Sequence, residues 1–273
     1  MLTVNLGPLS LPTGHLLLLL AFIVALVVGG LSGRKQKTPV AGMLSDILVV
    51  AAVSARIGFV LMYFEHYRDN LWDVVDIRDG GFSVIAGVAG ALACTAYLMW
   101  RSPVSRRPLG FAMASGMIVW GTLLLTINLI ETQANAVPDA RFATLDGTGT
   151  TLAEIGSGKP MVVNLWASWC PPCIREMPVL DAAQERLPNV SFVFVNQGEQ
   201  PETIRRFLAD QALELDHILT DPGGALGRIT GSQALPTTLF FNAAGQQVDA
   251  HLGELSRATL ARSLEQITDD ESP

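Results

Sequence analysis

The sequence predicts a molecule in two parts: a region of four transmembrane helices, then an α/β domain with a mixed central sheet flanked by helices. Three observations carry this. Four apolar stretches, Leu16–Leu31, Val40–Phe64, Phe82–Trp100 and Leu109–Ile130, have the length and composition of segments that cross a bilayer core. Beyond residue 137 the long apolar runs give way to short strand-like and helix-like segments in alternation, the mark of an α/β or mixed-sheet domain. Charge changes at the same place: residues 1–137 carry nine Lys and Arg against seven Asp and Glu, residues 138–273 nine against eighteen. That acidic second half argues against nucleic acid, and against anionic lipid, as its main partner.

The first apolar stretch could pass for a secretory signal, but residues 1–14 contain neither Lys nor Arg. The basic start of a signal is missing, so the stretch is expected to be retained as a helix. Arg34, Lys35 and Lys37 follow it, and Arg101, Arg106 and Arg107 follow the third stretch; positive loops stay on the cytoplasmic side. The loop Glu65–Gly81 holds Glu65, Asp69, Asp73, Asp76 and Asp79 against Arg68 and Arg78. It and both termini are therefore expected outside. Everything after Glu131 then lies in an extracytoplasmic, oxidising compartment. Arg56 falls inside the second stretch, where a charge is costly unless it is paired or faces a cavity. Pairing with Glu65 or the acidic loop and contact with a lipid headgroup are both open, whereas Asp46 lies too far along the helix. Cys94, in the third stretch, is expected to pack as a small apolar residue.

The division expected along the chain is a membrane domain over 1–131, a linker over 132–137, a second domain over 138–268 and a tail over 269–273. In the second domain Met161–Trp166 reads as a buried strand, Pro172–Leu187 as a helix and Val190–Asn196 as a second strand. Gln197-Gly198-Glu199 then either lines a groove or turns the chain. Pro201–Gln211 reads as a helix. Thr238–Asn242 reads as a strand ending in the turn Ala243–Gly245, with Gln247–Leu252 as its hairpin partner and Ser256–Ile267 as a closing helix capped by Ser256.

Between the first strand and first helix of this domain stands NLWASWCPPCIREMP, Asn164 to Pro178. At the start of a helix, unpaired backbone N–H groups and the helix dipole favour an anion, which suits Cys170 as an attacking thiolate. Cys173, within the first turn, can close a disulfide and resolve a mixed one. A purely stabilising disulfide fits poorly, because so short a loop removes little chain entropy. Zinc also uses this spacing, but it needs further ligands, and His217 and His251 form no second pair. Pro171 and Pro172 are tolerated in the first helical turn and restrict the backbone between the sulfurs. Trp166 is expected in the core, and Trp169 as an exposed apolar contact for substrate. No metal or other cofactor is expected.

The strand VVNLWASW, the CPPC motif, REMP directly after it and LPTTLFF before the hairpin together resemble the TlpA/ResA/DsbE branch of membrane-tethered thiol:disulfide oxidoreductases, over roughly residues 138–268. The resemblance implies a thioredoxin fold. It further implies that Leu235, Pro236 and Thr237 form the cis-proline segment that lies against the disulfide and meets an extended client. Asn164 stands where ordinary thioredoxins bury an acid, and Glu176 matches the carboxylate of this branch that exchanges a proton with the resolving thiol. The alternative reading of Glu176 is a solvated residue on an amphipathic helix; the proton-transfer role is favoured, because exchange at the pair needs a carboxylate nearby. The implied partners are oxidised client proteins with cysteine pairs, a class that includes apocytochromes c. A membrane electron donor of DsbD/CcdA type is implied too, since Cys94 by itself supplies no cysteine pair in the bilayer. The implied setting is the bacterial inner membrane, with the second domain in the periplasm.

LGPLSLPTG, ARIGFVLMY and RDGGFSVIAGVAG resemble the amino-terminal part of prolipoprotein diacylglyceryl transferase. In that family the Gly-Gly stretch leads to a catalytic His; here Val84-Ile85-Ala86 stands in its place, and the later Arg/Asn-rich signature is missing. The resemblance therefore implies a repurposed scaffold, with lipid transfer the disfavoured alternative. For the second domain the expected direction is reduction of disulfides. A dithiol oxidant or isomerase, and a non-catalytic chaperone, are the competing readings.

Overall fold

The four apolar stretches are four helices in the computed structural model, which describes residues 3–6, 9–34, 38–131, 136–232 and 234–268. They are α1 (Thr13–Gly33), α2 (Val40–Met62), α3 (Val84–Arg101) and α4 (Arg106–Glu131). All four are long and apolar enough to cross a membrane. α1 and α4 run past their apolar stretches by up to three residues, because helical hydrogen bonding continues into the flanks, whereas α2 ends two residues before Phe64 and α3 begins two residues after Phe82. Lys35, Lys37, residues 132–135 of the linker, the tail 269–273, and Gly7 and Pro8 of LGPLSLPTG lie outside the described residues. The chain forms two compact units, Thr13–Thr132 on the one hand and Met1–Pro12 with Gln133–Pro273 on the other.

In the helical unit α1 packs chiefly on α4, and α2 on α3. Small residues set the approach: a Cβ on Gly90 would lie 2.3 Å from Ser54 Oγ, so only glycine lets α3 come this close to α2. Ala25, Val40, Leu44, Ile47, Leu109 and Ala112 form the buried apolar centre.

Arg56 settles the arrangement of the segment joining α2 to α3. Its Nε donates to the Val74 carbonyl (3.0 Å), Nη1 to Asp79 Oδ1 and the Gly81 carbonyl (both 2.9 Å), and Nη2 to the carbonyls of Asp73 (2.8 Å) and Asp76 (2.6 Å). A guanidinium carries five N–H donors, and each has a partner here. Arg56 thus pairs with Asp79 rather than Glu65. The alternative of a lipid-headgroup contact is overturned, because no donor is left for one. Tyr67 donates to the other Asp79 oxygen at 3.2 Å; burial, then the Asp79 charge, push its hydroxyl up to about 12. At the exposed rim the Arg78 guanidinium holds Asp76 down to about 2. The RDGGF stretch has a steric reason as well: a Cβ on Gly81 would lie 2.7 Å from Arg56 Nη1 and 2.5 Å from the Phe59 ring.

In the other unit, β1 (Thr3–Leu6) and β2 (Leu9–Pro12) pair antiparallel. A larger sheet follows, built from β3 (Arg141–Thr144), β4 (Gly149–Thr151), α5 (Leu152–Gly156), β5 (Met161–Trp166), α6 (Pro171–Arg186), β6 (Ser191–Gln197), α7 (Pro201–Gln211), β7 (Ile218–Asp221), α8 (Ala225–Thr230), β8 (Thr237–Phe241), β9 (Gln247–Leu252) and α9 (Arg257–Thr268). The strand order is β4-β3-β7-β6-β5-β8-β9, with β5, β6 and β7 parallel and the remaining pairs antiparallel. Every residue of β5 and β8 is buried, as befits central strands covered on both faces.

Alternation along these strands sorts their side chains into two layers. Val162, Trp166, Phe192, Phe194 and Phe240 face Cys173, Met177 and Leu180 of α6. Met161, Val163, Leu165, Val193, Val195, Leu239 and Phe241 face the other way, with Leu152 of α5 and Leu226 of α8. The closing helix begins as expected, with Ser256 Oγ accepting the Thr259 N–H at 3.2 Å.

Candidate active site

β5 ends at Trp166, and Ala167, Ser168 and Trp169 carry the chain to α6. Cys170 is the residue that caps this helix, and it is joined to Cys173 in a disulfide. Cys173 is fully buried and Cys170 is 4% exposed, whereas Trp169 is 67% exposed. The Cys170 sulfur accepts the Cys173 N–H at 3.3 Å. Pro171 and Pro172 fill the first two helical positions and have no N–H to give. The expectation of several free donors around Cys170 is thereby corrected: within the first turn it reduces to the Cys173 N–H, supplemented by the dipole.

One turn beyond Cys173, Glu176 faces inward and is fully buried. Its Oε1 accepts from Asn164 Nδ2 at 2.7 Å and its Oε2 from the Leu255 N–H at 2.9 Å. Asn164 Nδ2 also donates to Thr238 Oγ1 at 2.9 Å, across the β5–β8 pair. Both donors to the carboxyl are neutral. Burial pushes Glu176 up to about 8 against the pull of these two hydrogen bonds, and the neighbouring Glu254 charge adds to the rise. The alternative of a solvated residue on an amphipathic helix is excluded. On the surface beside it, Arg175 pairs with Glu254 at 2.6 Å, so two consecutive residues of α6 hold two consecutive residues of the segment between β9 and α9.

The Leu235–Pro236 bond is cis. Thr237 pairs with Leu165, which puts Leu235, Pro236 and Thr237 at the same end of the sheet as Cys170. The Pro236 carbonyl accepts the Gly253 N–H at 3.0 Å, and Thr237 Oγ1 donates to the Ala234 carbonyl at 2.7 Å. Trp166 lies in the core, its ring 5.3 Å from that of Phe207. Among the described residues no group of three His, Cys, Asp or Glu side chains could hold a metal ion.

In the sequence Asn164 is legible only as the place of a missing acid. A lone polar residue in the otherwise apolar run MVVNLW was the available signal that it has a buried partner. Ser168, Asn196 and the role of Glu199 were not foreseen; they meet across two chain turns that lie 31 residues apart.

Residues 132–266 match the Redoxin family model. The thiol-disulfide oxidoreductase ResA of Halalkalibacterium halodurans is 31% identical over 125 residues, covering 45% of this chain and 70% of the relative. The chain belongs to the thiol:disulfide oxidoreductases of ResA/DsbE type. The DsbE homolog of Paracoccus denitrificans, a thiol:disulfide interchange protein, is 31% identical over 167 residues, covering 57% of this oxidoreductase and 88% of the relative. The solved structure of MTB dsbF in its mixed oxidised and reduced forms aligns at 29% identity with a TM-score of 0.45, covering 48% of this chain and 99% of that one.

In this oxidoreductase residues 2–129 match a second family model, prolipoprotein diacylglyceryl transferase. The chain is thus a fusion of the two. Of the residues that carry the second likeness, Arg56 and Gly81 are engaged in shaping the segment between α2 and α3. Val84 and Ile85, at the start of α3, are exposed apolar side chains and offer no group for proton transfer.

Proposed function

We propose that the protein is a membrane-tethered reductase of disulfides in extracytoplasmic proteins, with Cys170 and Cys173 as its redox pair. The observation that carries this reading is the buried Glu176, one turn beyond Cys173, whose carboxyl titrates near 8. A carboxyl raised this far can both take a proton from a neighbouring thiol and return it.

In the reaction, the Cys170 thiolate attacks one sulfur of a client disulfide; a mixed disulfide forms and the other client sulfur leaves as thiolate. Glu176, in its ionised form, accepts the Cys173 proton. The Cys173 thiolate attacks Cys170 Sγ, the second client sulfur leaves, and the Cys170–Cys173 disulfide forms. Two electrons pass to the client, whose sulfurs take up protons. A donor dithiol runs the same steps backwards and restores both cysteines, with Glu176 returning its proton to Cys173.

Trp169 supplies an exposed apolar contact for the client, and Leu235, Pro236 and Thr237, at the same end of the sheet, supply backbone for it. Pro171 and Pro172 hold the two sulfurs to one geometry. Residues 1–131 act as the tether, with residues 132–137 as the join. Arg34, Arg101, Arg106 and Arg107 on the inner side and the acidic segment 65–81 on the outer side support an orientation that puts residues 138–268 in the periplasm of a bacterial inner membrane. Tethering raises the concentration of the redox pair near a membrane donor of DsbD/CcdA type. Clients are proteins with cysteine pairs.

Trapping free thiols in intact cells with an alkylating mass tag tests this. Cys170 and Cys173 are expected reduced at steady state and oxidised once the membrane donor is deleted. Full oxidation with or without the donor would overturn the reductive direction. In vitro, Cys170→Ser should abolish exchange; a variant exchanging at the wild-type rate would overturn the redox reading itself.

A further inference from the structure

We propose that Glu199 is a positioning residue for the redox pair, fixing the turn that presents Trp169 and Cys170, and that it acts through shape rather than charge. The inference rests on Cys170 being the attacking cysteine. Glu199 Oε2 accepts the Ser168 N–H at 2.7 Å and its Oε1 accepts the Ser168 hydroxyl at 2.5 Å. Both donors of one residue are thus taken by one carboxylate. That carboxylate is held in turn by Asn196, whose Nδ2 donates to Oε2 at 2.7 Å and whose Oδ1 accepts the Glu199 N–H at 3.3 Å. Asn196 is fully buried and pairs in register with Trp166 on the neighbouring parallel strand. Gly198, at φ +85°, bends the chain in a conformation that other residues rarely adopt, bringing Glu199 back over the end of the sheet. Two turns leaving adjacent parallel strands are therefore joined at Glu199.

The Ser168 turn has few other anchors. Within it, the Cys170 N–H donates to the Ala167 carbonyl at 3.2 Å; Trp169 is exposed, and Pro171 and Pro172 have no N–H. Without Glu199 the turn could reorient Cys170 relative to a bound client disulfide, and small misplacements of reacting atoms cost rate steeply. A negative charge near Cys170 would disfavour its thiolate, so charge is not what recommends a carboxylate here. Glutamine has the same outline. Its Oε1 can accept from Ser168 N–H and Asn196 Nδ2 while its Nε2 donates to Ser168 Oγ, which preserves all three contacts.

The test compares Glu199→Ala, Glu199→Gln and wild type, each as the full chain in detergent, reducing a disulfide-bonded client protein. Glu199→Ala is expected to slow exchange about tenfold without slowing alkylation of reduced Cys170 by iodoacetamide, a small reagent that needs no docking. Glu199→Gln is expected to restore exchange to within about twofold of wild type, since the three contacts persist. A folded Glu199→Ala chain exchanging at the wild-type rate would overturn the proposal. So would a Glu199→Gln chain as slow as Glu199→Ala, which would show that charge matters. If Glu199→Ala misfolds, Ser168→Ala takes its place, removing only the hydroxyl contact. Slower exchange with unslowed alkylation then supports the proposal, and an unchanged rate overturns it. An inert wild-type chain would instead overturn the redox reading on which the proposal rests.

Discussion

Asp79 in the helical unit and Glu176 in the sheet unit are both buried carboxyls, and the two are held in opposite ways. Asp79 in the helical unit receives the Arg56 guanidinium and the Gly81 N–H on one oxygen and the Tyr67 hydroxyl on the other. Glu176 in the sheet unit receives only an amide from Asn164 and a backbone N–H from Leu255. A buried charge with a counter-ion and a full set of hydrogen bonds is a structural fixture. At Glu176, with no counter-ion and only two neutral donors, desolvation outweighs the hydrogen bonds and raises the pKa to about 8, where the carboxyl can exchange a proton under ordinary conditions. The first carboxyl shapes a loop; the second can take part in chemistry.

Breaking the fixture should have the largest effect. Arg56→Met leaves Asp79 buried without its counter-ion and is expected to cost the helical unit about 3–5 kcal/mol. Arg56→Lys should not rescue it, because an ammonium has three donors where five partners wait. Limited proteolysis of the segment 64–83 in detergent reads this out. Wild-type resistance in Arg56→Met would remove the contrast between the two carboxyls.

The next effect is a slope with pH. Glu176 is raised from 4.5 to about 8 in the folded, disulfide-bonded protein, so the folded state holds a proton that the unfolded chain releases. That stabilisation is complete below pH 4.5 and is lost as pH rises to about 8, at about 1.4 kcal/mol per pH unit within the window. Thermal melts of the oxidised sheet unit, followed within the full chain, should fall over this range in wild type. Glu176→Gln should remove that component. Parallel pH profiles for the two proteins would mean that Glu176 is not the group holding the proton.

The smallest effect is expected next door. Arg175 and Glu254 form a close pair, but their side chains are 44% and 20% exposed, and solvent screens such pairs to below about 1 kcal/mol. Arg175→Ala should therefore shift a denaturant midpoint only slightly. A large shift would show that the pair, and not Glu176, keeps the Glu254–Leu255 segment in place.

What could be read in the sequence was local. MVVNLW, the CPPC helix and the hairpin after LPTT are each specified within a few residues, and their bounds agree with the structure to within one residue. The membrane-length helices follow from composition alone. The short strands β3, β4 and β7, with α5 and α8, escaped notice because three to six residues carry no readable period. One signal was nevertheless available: Thr151 and Glu154 form a capping box at the start of α5, a spacing visible in the letters TLAE. The surroundings of the functional groups were hidden for another reason. Glu176 meets Leu255 across 79 residues, Arg56 meets Asp79 across 23 and Glu199 meets Ser168 across 31. Only the packed sheet and the closed loop bring these partners together. The sequence offered Glu176 as either buried or solvated and Arg56 as either paired or lipid-facing, and tertiary contacts decided both.

The most direct test of the contrast is infrared spectroscopy of the oxidised full-length protein against Glu176→Gln across a pH series. A protonated carboxyl band is expected at neutral pH, absent in Glu176→Gln and disappearing with a midpoint near 8. A midpoint near the ordinary 4.5, or no band at neutral pH that depends on Glu176, would contradict the account, because burial among neutral donors would then not hold the proton that the redox site is proposed to exchange.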